Sequence, residues 1–358
     1  MKPAPKPLVA ISAEALAAFD AIIDVRSPAE YAEDHVPGAI SAPVLDNEER
    51  ARVGTLYKQV SPFDAKKLGA ALVSKNIARH IETVFAPMPR QWKPLVYCWR
   101  GGKRSGAMAH VLREIGWDAW SIEGGYKAYR RFLIDALATL PGHYTYRVIH
   151  GTTGSGKSRL LRALNAAGAQ VLDLEDLAAH RGSVLGNFPD RSQPAQKMFE
   201  TLVWDTLRRF DAGKPVFVEG ESKKIGQLQV PEALMFAMRA SECVVLEASR
   251  ETRIALLSDE YQHFFAAPAG LYAQLDCLHG LYGTKVIDDW KSLAGRGQWD
   301  ELVGALLDEH YDPAYRRSAL RNFSRMPKAG TLRLDSPSDE AFASLARSLL
   351  DARQLEAA

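Results

Sequence analysis

The sequence predicts an α/β protein built as two successive domains, each a largely parallel sheet with helices on both faces. Three observations predict it. Short apolar runs alternate with amphipathic stretches. The alternation restarts after Pro141-Gly142. Two loops rich in glycine and cations each follow an apolar run directly: C98-W-R-G-G-K-R-S105 after Leu95, Val96 and Tyr97, and G151-T-T-G-S-G-K-S158 after Val148 and Ile149. At 358 residues, 47% hydrophobic and 25% charged, the chain has the length and composition for two packed cores.

Taken in order, residues 21–25 read as a buried strand, and Arg26-Ser27-Pro28 turns into a helix near 29–32. Amphipathic helices are expected near 66–74 and 106–112. The strand 95–97 ends at Cys98, and ligands gather at such carboxyl ends in open α/β sheets. E123-G-G-Y126 is a tight turn into a helix over 127–138. A junction at 138–146 gives a first domain over 1–140 and a second over 145–358. In the second, strands are expected at 147–150, 170–174, 215–218 and 242–247, with a helix at 158–167 after the glycine-rich loop. The third strand ends in E219-G-E-S222. Residues 258–325 read as mainly helical, which gives this domain a helical C-terminal part.

Net charge is only +2, so there is no global polybasic character, and a nucleic-acid partner would have to meet a local patch. The cysteines Cys98, Cys243 and Cys277 form no C-x-x-C pair and no zinc-type cluster. A sparse, odd count fits a reducing compartment. The first ten residues are broken by prolines and lack a signal-peptide core, and no stretch reaches membrane-span length. The expectation is a cytoplasmic protein with no membrane partner.

A nucleophilic cysteine needs a positive, partly open setting that favours its thiolate. Cys98 has Arg100, Lys103 and Arg104 within six residues, and Gly101 and Gly102 let backbone N–H groups turn inward as an anion nest. Free cysteines are most often buried packing residues, but packing alone calls for neither paired glycines nor three cations. Cys243, in an apolar strand, and Cys277, in an Ala/Leu-rich helix, read as core filler.

The second loop fits the phosphate-binding pattern G-x-x-x-x-G-K-[ST]. Gly151, Thr152, Thr153, Gly154, Ser155 and Gly156 supply the cradle, Lys157 the terminal-phosphate contact and Ser158 a Mg²⁺ ligand. Asp173 with Glu175, or Glu219 with Glu221, can assist the metal; the second pair is favoured because it follows the apolar residues 216–218. Arg181, in H180-R-G-S183, is placed to grip an anion. Phe188, Phe199 and Trp204 read as an apolar pocket or as core. Arg250 and Arg253 read as a lid over phosphates or as an exposed helix face. Lys223, Lys224, Arg316, Arg317, Arg321 and Arg325, with Tyr311 and Tyr315, read as an RNA backbone track or as a solvated face.

D24-V-R-S-P-A-E-Y31, H35-V-P-G-A-I40, the Cys98 loop and E123-G-G-Y126 resemble, in order and spacing, the rhodanese domain. That resemblance implies a thiolate carrying transferable sulfur or selenium as a persulfide or perselenide. The loop is one residue longer than the rhodanese loop, as in rhodanese-fold phosphatases. This leaves open a phosphatase or a chalcogen carrier whose donor bears a phosphate.

Together with G151-T-T-G-S-G-K-S158, H180-R-G-S183, E219-G-E-S-K-K-I-G226, P231-E-A-L-M235, M238-R-A-S241 and H310-Y-D-P-A-Y315, the chain resembles the bacterial tRNA 2-selenouridine synthase family over nearly its whole length. The resemblance implies a rhodanese-like domain followed by a P-loop NTPase-like α/β domain, and a tRNA substrate carrying wobble 2-thiouridine. Geranyl diphosphate alkylates the sulfur, and selenium from selenophosphate then replaces the geranylthio group. On this reading Cys98 is catalytic, and Arg100, Gly101, Gly102, Lys103 and Arg104 hold selenophosphate. Residues 151–158 with Arg181 hold the diphosphate, and Ser158, Glu219 and Glu221 hold Mg²⁺. A selenophosphate-supplying enzyme is an implied partner. The rivals are a P-loop kinase or ATPase with an appended sulfurtransferase domain, a phosphatase working through Cys98, and a tRNA-binding chaperone with degenerate loops. The intact Cys98, Lys157 and Ser158 argue against the last.

Overall fold

In the computed structural model, which describes residues 8–183, 185–188, 190–266, 268–313 and 323–356, the chain divides into two units, Met1–Ala136 and Leu137–Ala358. Both are built on parallel sheets, as the alternating pattern predicts.

In the first unit, β1 (Leu8–Val9), β2 (Ala21–Asp24), β3 (Ile40–Ser41), β4 (Pro94–Tyr97) and β5 (Trp120–Ile122) pair in the order β1-β5-β4-β2-β3. Every pairing is parallel. All four residues of the middle strand β4 are buried, the continuous apolar run expected where helices cover both faces. Ile23, Val96, Met108 and Leu112 form its core with Phe85, Trp92 and Trp117. The helix Pro28–Glu33 starts at a capping box in which Ser27 and Glu30 each accept the other's backbone N–H, with Pro28 in the first turn. The helix Pro62–His80 runs beyond the expected 66–74 at both ends. The helix Asn47–Gln59 carries no sequence signal: none of its residues is buried, so no apolar stripe marks it.

In the second unit, the strands are β6 (Tyr146–His150), β7 (Gln170–Leu172), β8 (Val216–Glu219), β9 (Lys224–Ile225), β10 (Leu228–Gln229), β11 (Glu242–Ala248) and β12 (Gly330–Leu334). A parallel sheet of order β12-β11-β6-β8-β7 forms the centre, and β9 and β10 make a separate antiparallel pair. The loop 151–156 rises from the middle strand β6 into the helix Lys157–Ala166. Leu160, Leu161 and Leu164 anchor that helix to a core shared with Phe342 of the helix Asp339–Glu356. The strand expected over 170–174 stops at Leu172 because Asp173 caps the next helix, Leu174–Leu177, accepting the N–H of Asp176. Strand β12 and the final helix lie outside the elements that the sequence pattern predicts. β12 buries only Leu334, as an edge strand can, and so lacks an apolar signal.

The helical part holds Arg250–Glu260, Pro268–Asp276, Thr284–Gly295 and Trp299–Leu306. The last three pack around Leu275, Ile287, Trp290 and Leu302. Among the described residues, no helix is long and apolar enough to cross a membrane.

Candidate active sites

Cys98 stands at the carboxyl end of β4 and is 4% exposed. Its Sγ accepts two hydrogen bonds, from the Gly102 N–H and from Ser105 Oγ, each at 3.3 Å. Burial pushes the Cys98 thiol up, but the Ser105 hydroxyl and N–H, the Gly102 N–H and the Arg104 charge outweigh it, and the net shift is downward. Ser105 is thus part of what holds the thiolate.

The loop is seated on the E123-G-G-Y126 turn. The N–H groups of Tyr126 and Lys127 donate to the carbonyls of Cys98 and Trp99 at 2.8 and 3.1 Å. Gly125 has φ +60°, and a Cβ there would lie 2.2 Å from the Cys98 carbonyl oxygen. A side chain at this position therefore meets both backbone strain and a collision. Below lies a buried polar network. Arg26 donates to both carboxylate oxygens of Asp24 and to the Asp34 carbonyl. Tyr97 donates to Asp24 and Tyr126 to Asp34, each at 2.7 Å. The D24-V-R motif thus supports the floor of the loop.

The structure divides the predicted selenophosphate ligands. Arg100 and Lys103 are exposed. Arg104 is instead engaged with Glu30, Nη1 to Oε2 at 2.9 Å, and Glu30 also receives Arg50 at 2.9 Å. Burial raises the Glu30 carboxyl, but Arg104, the Ser27 N–H and Arg50 more than offset it and hold it at about 2. A carboxyl depressed on folding contributes stability that is fully present above its ordinary 4.5 and is lost as pH falls toward 2. Glu30→Gln is expected to flatten that part of the stability–pH curve, as read by urea unfolding at stepped pH. An unchanged slope would show that the Arg104 pair is not a source of acid sensitivity.

In the second unit, the 151–158 loop forms one wall of a cavity of about 890 Å³. Lys157 Nζ donates to the Gly151 carbonyl at 2.9 Å, and Ser158 Oγ donates to Glu175 Oε2 at 2.8 Å. The acids rank differently from the sequence expectation. Asp173, Glu175 and Glu221 line the cavity. Glu219 lies beneath it, 1% exposed, with Oε1 accepting the Glu175 N–H at 2.6 Å. Its Oε2 has no hydrogen-bond partner among the described residues. Burial, with neighbouring carboxylates, pushes Glu219 well up and Glu175 to about 8, against the pull of Lys157 and Ser158 on Glu175. A side chain at Gly182 (φ +68°) would come within 2.7 Å of Glu175 Oε1 and 2.8 Å of Glu221 Oε2. The H180-R-G-S183 turn therefore closes directly over these acids.

Arg181 lines the cavity, as does Phe188. Phe199 and Trp204 do not: at 0% and 2% exposure they are core residues of the helix Gln196–Leu207. The apolar wall instead includes Leu161, Val171, Leu257, Tyr261 and Phe323. Arg253 is a brace and not a lid. It is buried, donates to the Thr153 carbonyl at 2.9 Å and pairs with Asp312 at 2.6 Å. Arg250 pairs with Asp308 at 2.8 Å on the surface.

Of the basic track, Lys223 and Lys224 are exposed, Arg325 lies 3.9 Å from Glu242, and Tyr311 lines the cavity. Arg316, Arg317, Arg321 and Tyr315 lie outside the described residues. Cys243 is buried, and burial raises its thiol to about 11. Cys277 is exposed, contrary to the core placement expected for it: its helix Pro268–Asp276 has already ended and directs only Leu271 and Leu275 inward.

Comparison with known proteins supplies a frame for both sites. A rhodanese-like domain family matches residues 9–132, and the tRNA 2-selenouridine synthase AAA domain family matches residues 144–274. A tRNA 2-selenouridine synthase of Marinobacter nauticus is 35% identical over 326 residues, covering 82% of this chain and 87% of that protein. One of Shewanella halifaxensis is 37% identical over 327 residues, with the same coverages. One of Nitrosomonas europaea is 37% identical over 290 residues, covering 80% of this chain and 74% of that protein. With a rhodanese-like and a P-loop unit in the same order, and most of each relative's length matched, the chain belongs to the tRNA 2-selenouridine synthase family.

Proposed function

We propose that this protein converts wobble 2-thiouridine of tRNA to 2-selenouridine in two steps, one at each loop. The observation that carries this reading is the cavity in the second unit, where the phosphate cradle Gly151–Ser158 and an apolar wall of Leu161, Val171 and Leu257 share one space. A prenyl diphosphate has these two ends. The sulfur of 2-thiouridine displaces diphosphate from geranyl diphosphate, a C–S bond forming as the C–O bond breaks, and the N3 proton is lost. Alkylation converts a poor sulfide leaving group into a thiol. Selenophosphate carries selenium at the selenide level, so a perselenide would need an oxidant. Instead the Cys98 thiolate attacks phosphorus, an S–P bond forming as the P–Se bond breaks. The freed hydrogen selenide attacks C2, a C–Se bond forming as the C–S bond breaks, and geranylthiol departs with a proton. Water clears the phosphoryl group from Cys98 as phosphate.

In the first step, Lys157 and the loop N–H groups stabilise the charge that develops on the leaving diphosphate. Ser158, Glu175 and Glu221 fit a magnesium ion, which would neutralise charge on the departing oxygens when bound. Among the described residues, no three His, Cys, Asp or Glu side chains are grouped to hold a metal by themselves. A bound magnesium ion commonly completes its shell with substrate phosphate oxygens. Burial first, and the neighbouring Glu221 after it, raises the Glu175 carboxyl, and a bound cation would oppose both effects.

The test is mass spectrometry of nucleosides from 2-thiouridine tRNA incubated with protein, Mg²⁺ and geranyl diphosphate, with and without selenophosphate. The expected products are the S-geranyl nucleoside without selenophosphate and 2-selenouridine with it. Unchanged tRNA in both, alongside ATP or GTP turnover without tRNA, would replace this reading with the kinase or ATPase alternative.

A further inference from the structure

Four side chains on one wall of the second-unit cavity make a cation–aromatic ladder. The Arg181 guanidinium lies 5.0 Å from the Tyr261 ring centroid and 4.3 Å from that of Phe188, and the Arg191 guanidinium lies 4.3 Å from Phe188. All four line the cavity that the phosphate loop enters. We propose that this ladder binds single-stranded RNA, namely the anticodon-loop nucleotides next to the reacting base, and does not hold the prenyl chain. The proposal rests on the reading that the substrate is a tRNA.

The chemistry of the wall favours RNA. An alkyl chain laid on Phe188 would have to desolvate two guanidinium groups and return no hydrogen bond. A nucleotide offers a planar face to the ring and a phosphate to the cations, the combination by which single strands are recognised. Arginine suits it because its planar fork stacks on rings and bonds phosphate at once.

The present partners leave room for this exchange. Arg181 Nη1 is buried with no hydrogen-bond partner among the described residues, and Nη2 makes only a 3.3 Å contact with the Glu260 carbonyl. Arg191 pairs with Asp176 at 2.7 Å, but both side chains are exposed, at 44% and 59%, and such pairs contribute little. In the bound state, a base replaces Arg191 on the Phe188 ring, and Arg191 turns from Asp176 to the phosphodiester. Asp176 and Glu260 also line the cavity, so the RNA backbone must run on the arginine side of them. The prenyl chain is left to the aliphatic surface of Leu161 and Val171.

The experiment uses the full chain, a labelled anticodon stem-loop carrying 2-thiouridine for fluorescence anisotropy, and geranyl diphosphate with Mg²⁺ for calorimetry. Phe188→Leu keeps an apolar side chain and removes the π face. It is expected to weaken RNA binding by about 5- to 150-fold, the range found for one lost base stack. Arg191→Gln is expected to lower the salt slope of RNA binding by about one. Geranyl diphosphate affinity is expected to change in neither variant, and their thermal midpoints should match the wild type. RNA binding unchanged in both variants would overturn the ladder while leaving the tRNA reading in place. The same holds if Phe188→Leu loses geranyl diphosphate and keeps RNA. Absence of RNA binding by the wild-type protein would overturn both.

Discussion

Replacing Cys98 with serine is expected to abolish selenium transfer while leaving S-geranylation of 2-thiouridine tRNA within about twofold of wild type. The expectation follows from where the thiol sits. It follows the carboxyl end of the middle strand of the first unit's sheet, with its sulfur fixed by Gly102 and Ser105 and its loop fixed on the Gly124-Gly125 turn. The loop 151–158 that serves the first step lies in the second unit. Serine preserves the shape of the side chain but is a far weaker nucleophile at neutral pH, so 2-selenouridine formation should fall by at least about a thousandfold. The pH profile sharpens the test. The Cys98 thiol lies below its usual 9.0, so selenation should rise with pH through an inflection below that value and then level off. Ser105→Ala removes a hydrogen bond to the thiolate, so its inflection should move upward. Selenation by Cys98→Ser at the wild-type rate would remove Cys98 from the mechanism. Loss of both half-reactions in the folded variant would show that the two loops do not divide the work. Peptide mass spectrometry of the wild-type enzyme quenched with selenophosphate would report whether Cys98 carries the phosphoryl group.

Much of this arrangement is legible in the sequence because loops of this kind are contiguous. Eight successive residues, 98–105, contain the nucleophile, its hydrogen-bond donors and two exposed cations, and eight more, 151–158, contain the phosphate cradle. What was not legible is partnership across the chain. Glu30 lies 74 residues from Arg104 and neutralises it, which no local spacing reveals. The sequence favoured Glu219 as a metal acid because it follows an apolar strand, yet the same burial that made the strand conspicuous carries the Glu219 carboxylate beneath the cavity floor. Glu175 meets Ser158 because the chain turns at Asp173, two residues earlier than the pattern suggested. Phe199 and Phe188 look alike in composition, but one sits on the inner face of a helix and the other in a loop over the cavity. The edge strand β12 and the exposed helix Asn47–Gln59 escaped for the converse reason, having little apolar surface to announce them.

Lys157→Ala is expected to reverse the pattern of the Cys98 variant. Geranyl transfer should fall by about a hundred- to a thousandfold, the usual cost of removing one preorganised charge from a developing anion. Selenation of RNA already carrying S-geranyl-2-thiouridine should persist. In the structure the Lys157 ammonium is held on the Gly151 carbonyl at 2.9 Å, inside the loop it would serve, so it reaches a diphosphate by a short swing. Removing it leaves the loop N–H groups, Ser158 and the acids in place. Binding of geranyl diphosphate should therefore weaken less than turnover, which places the lysine's contribution in the transition state. The neighbouring acids explain why a lysine is needed there. Asp173, Glu175 and Glu221 all face the cavity, and any of them that is ionised repels the diphosphate the loop is shaped to receive unless a cation stands between. Full geranylation by Lys157→Ala would refute the assignment of this loop to the prenyl step. Loss of selenation on pre-geranylated RNA would show instead that the P-loop unit also governs the second half-reaction. Either result would be read directly from the same nucleoside digest.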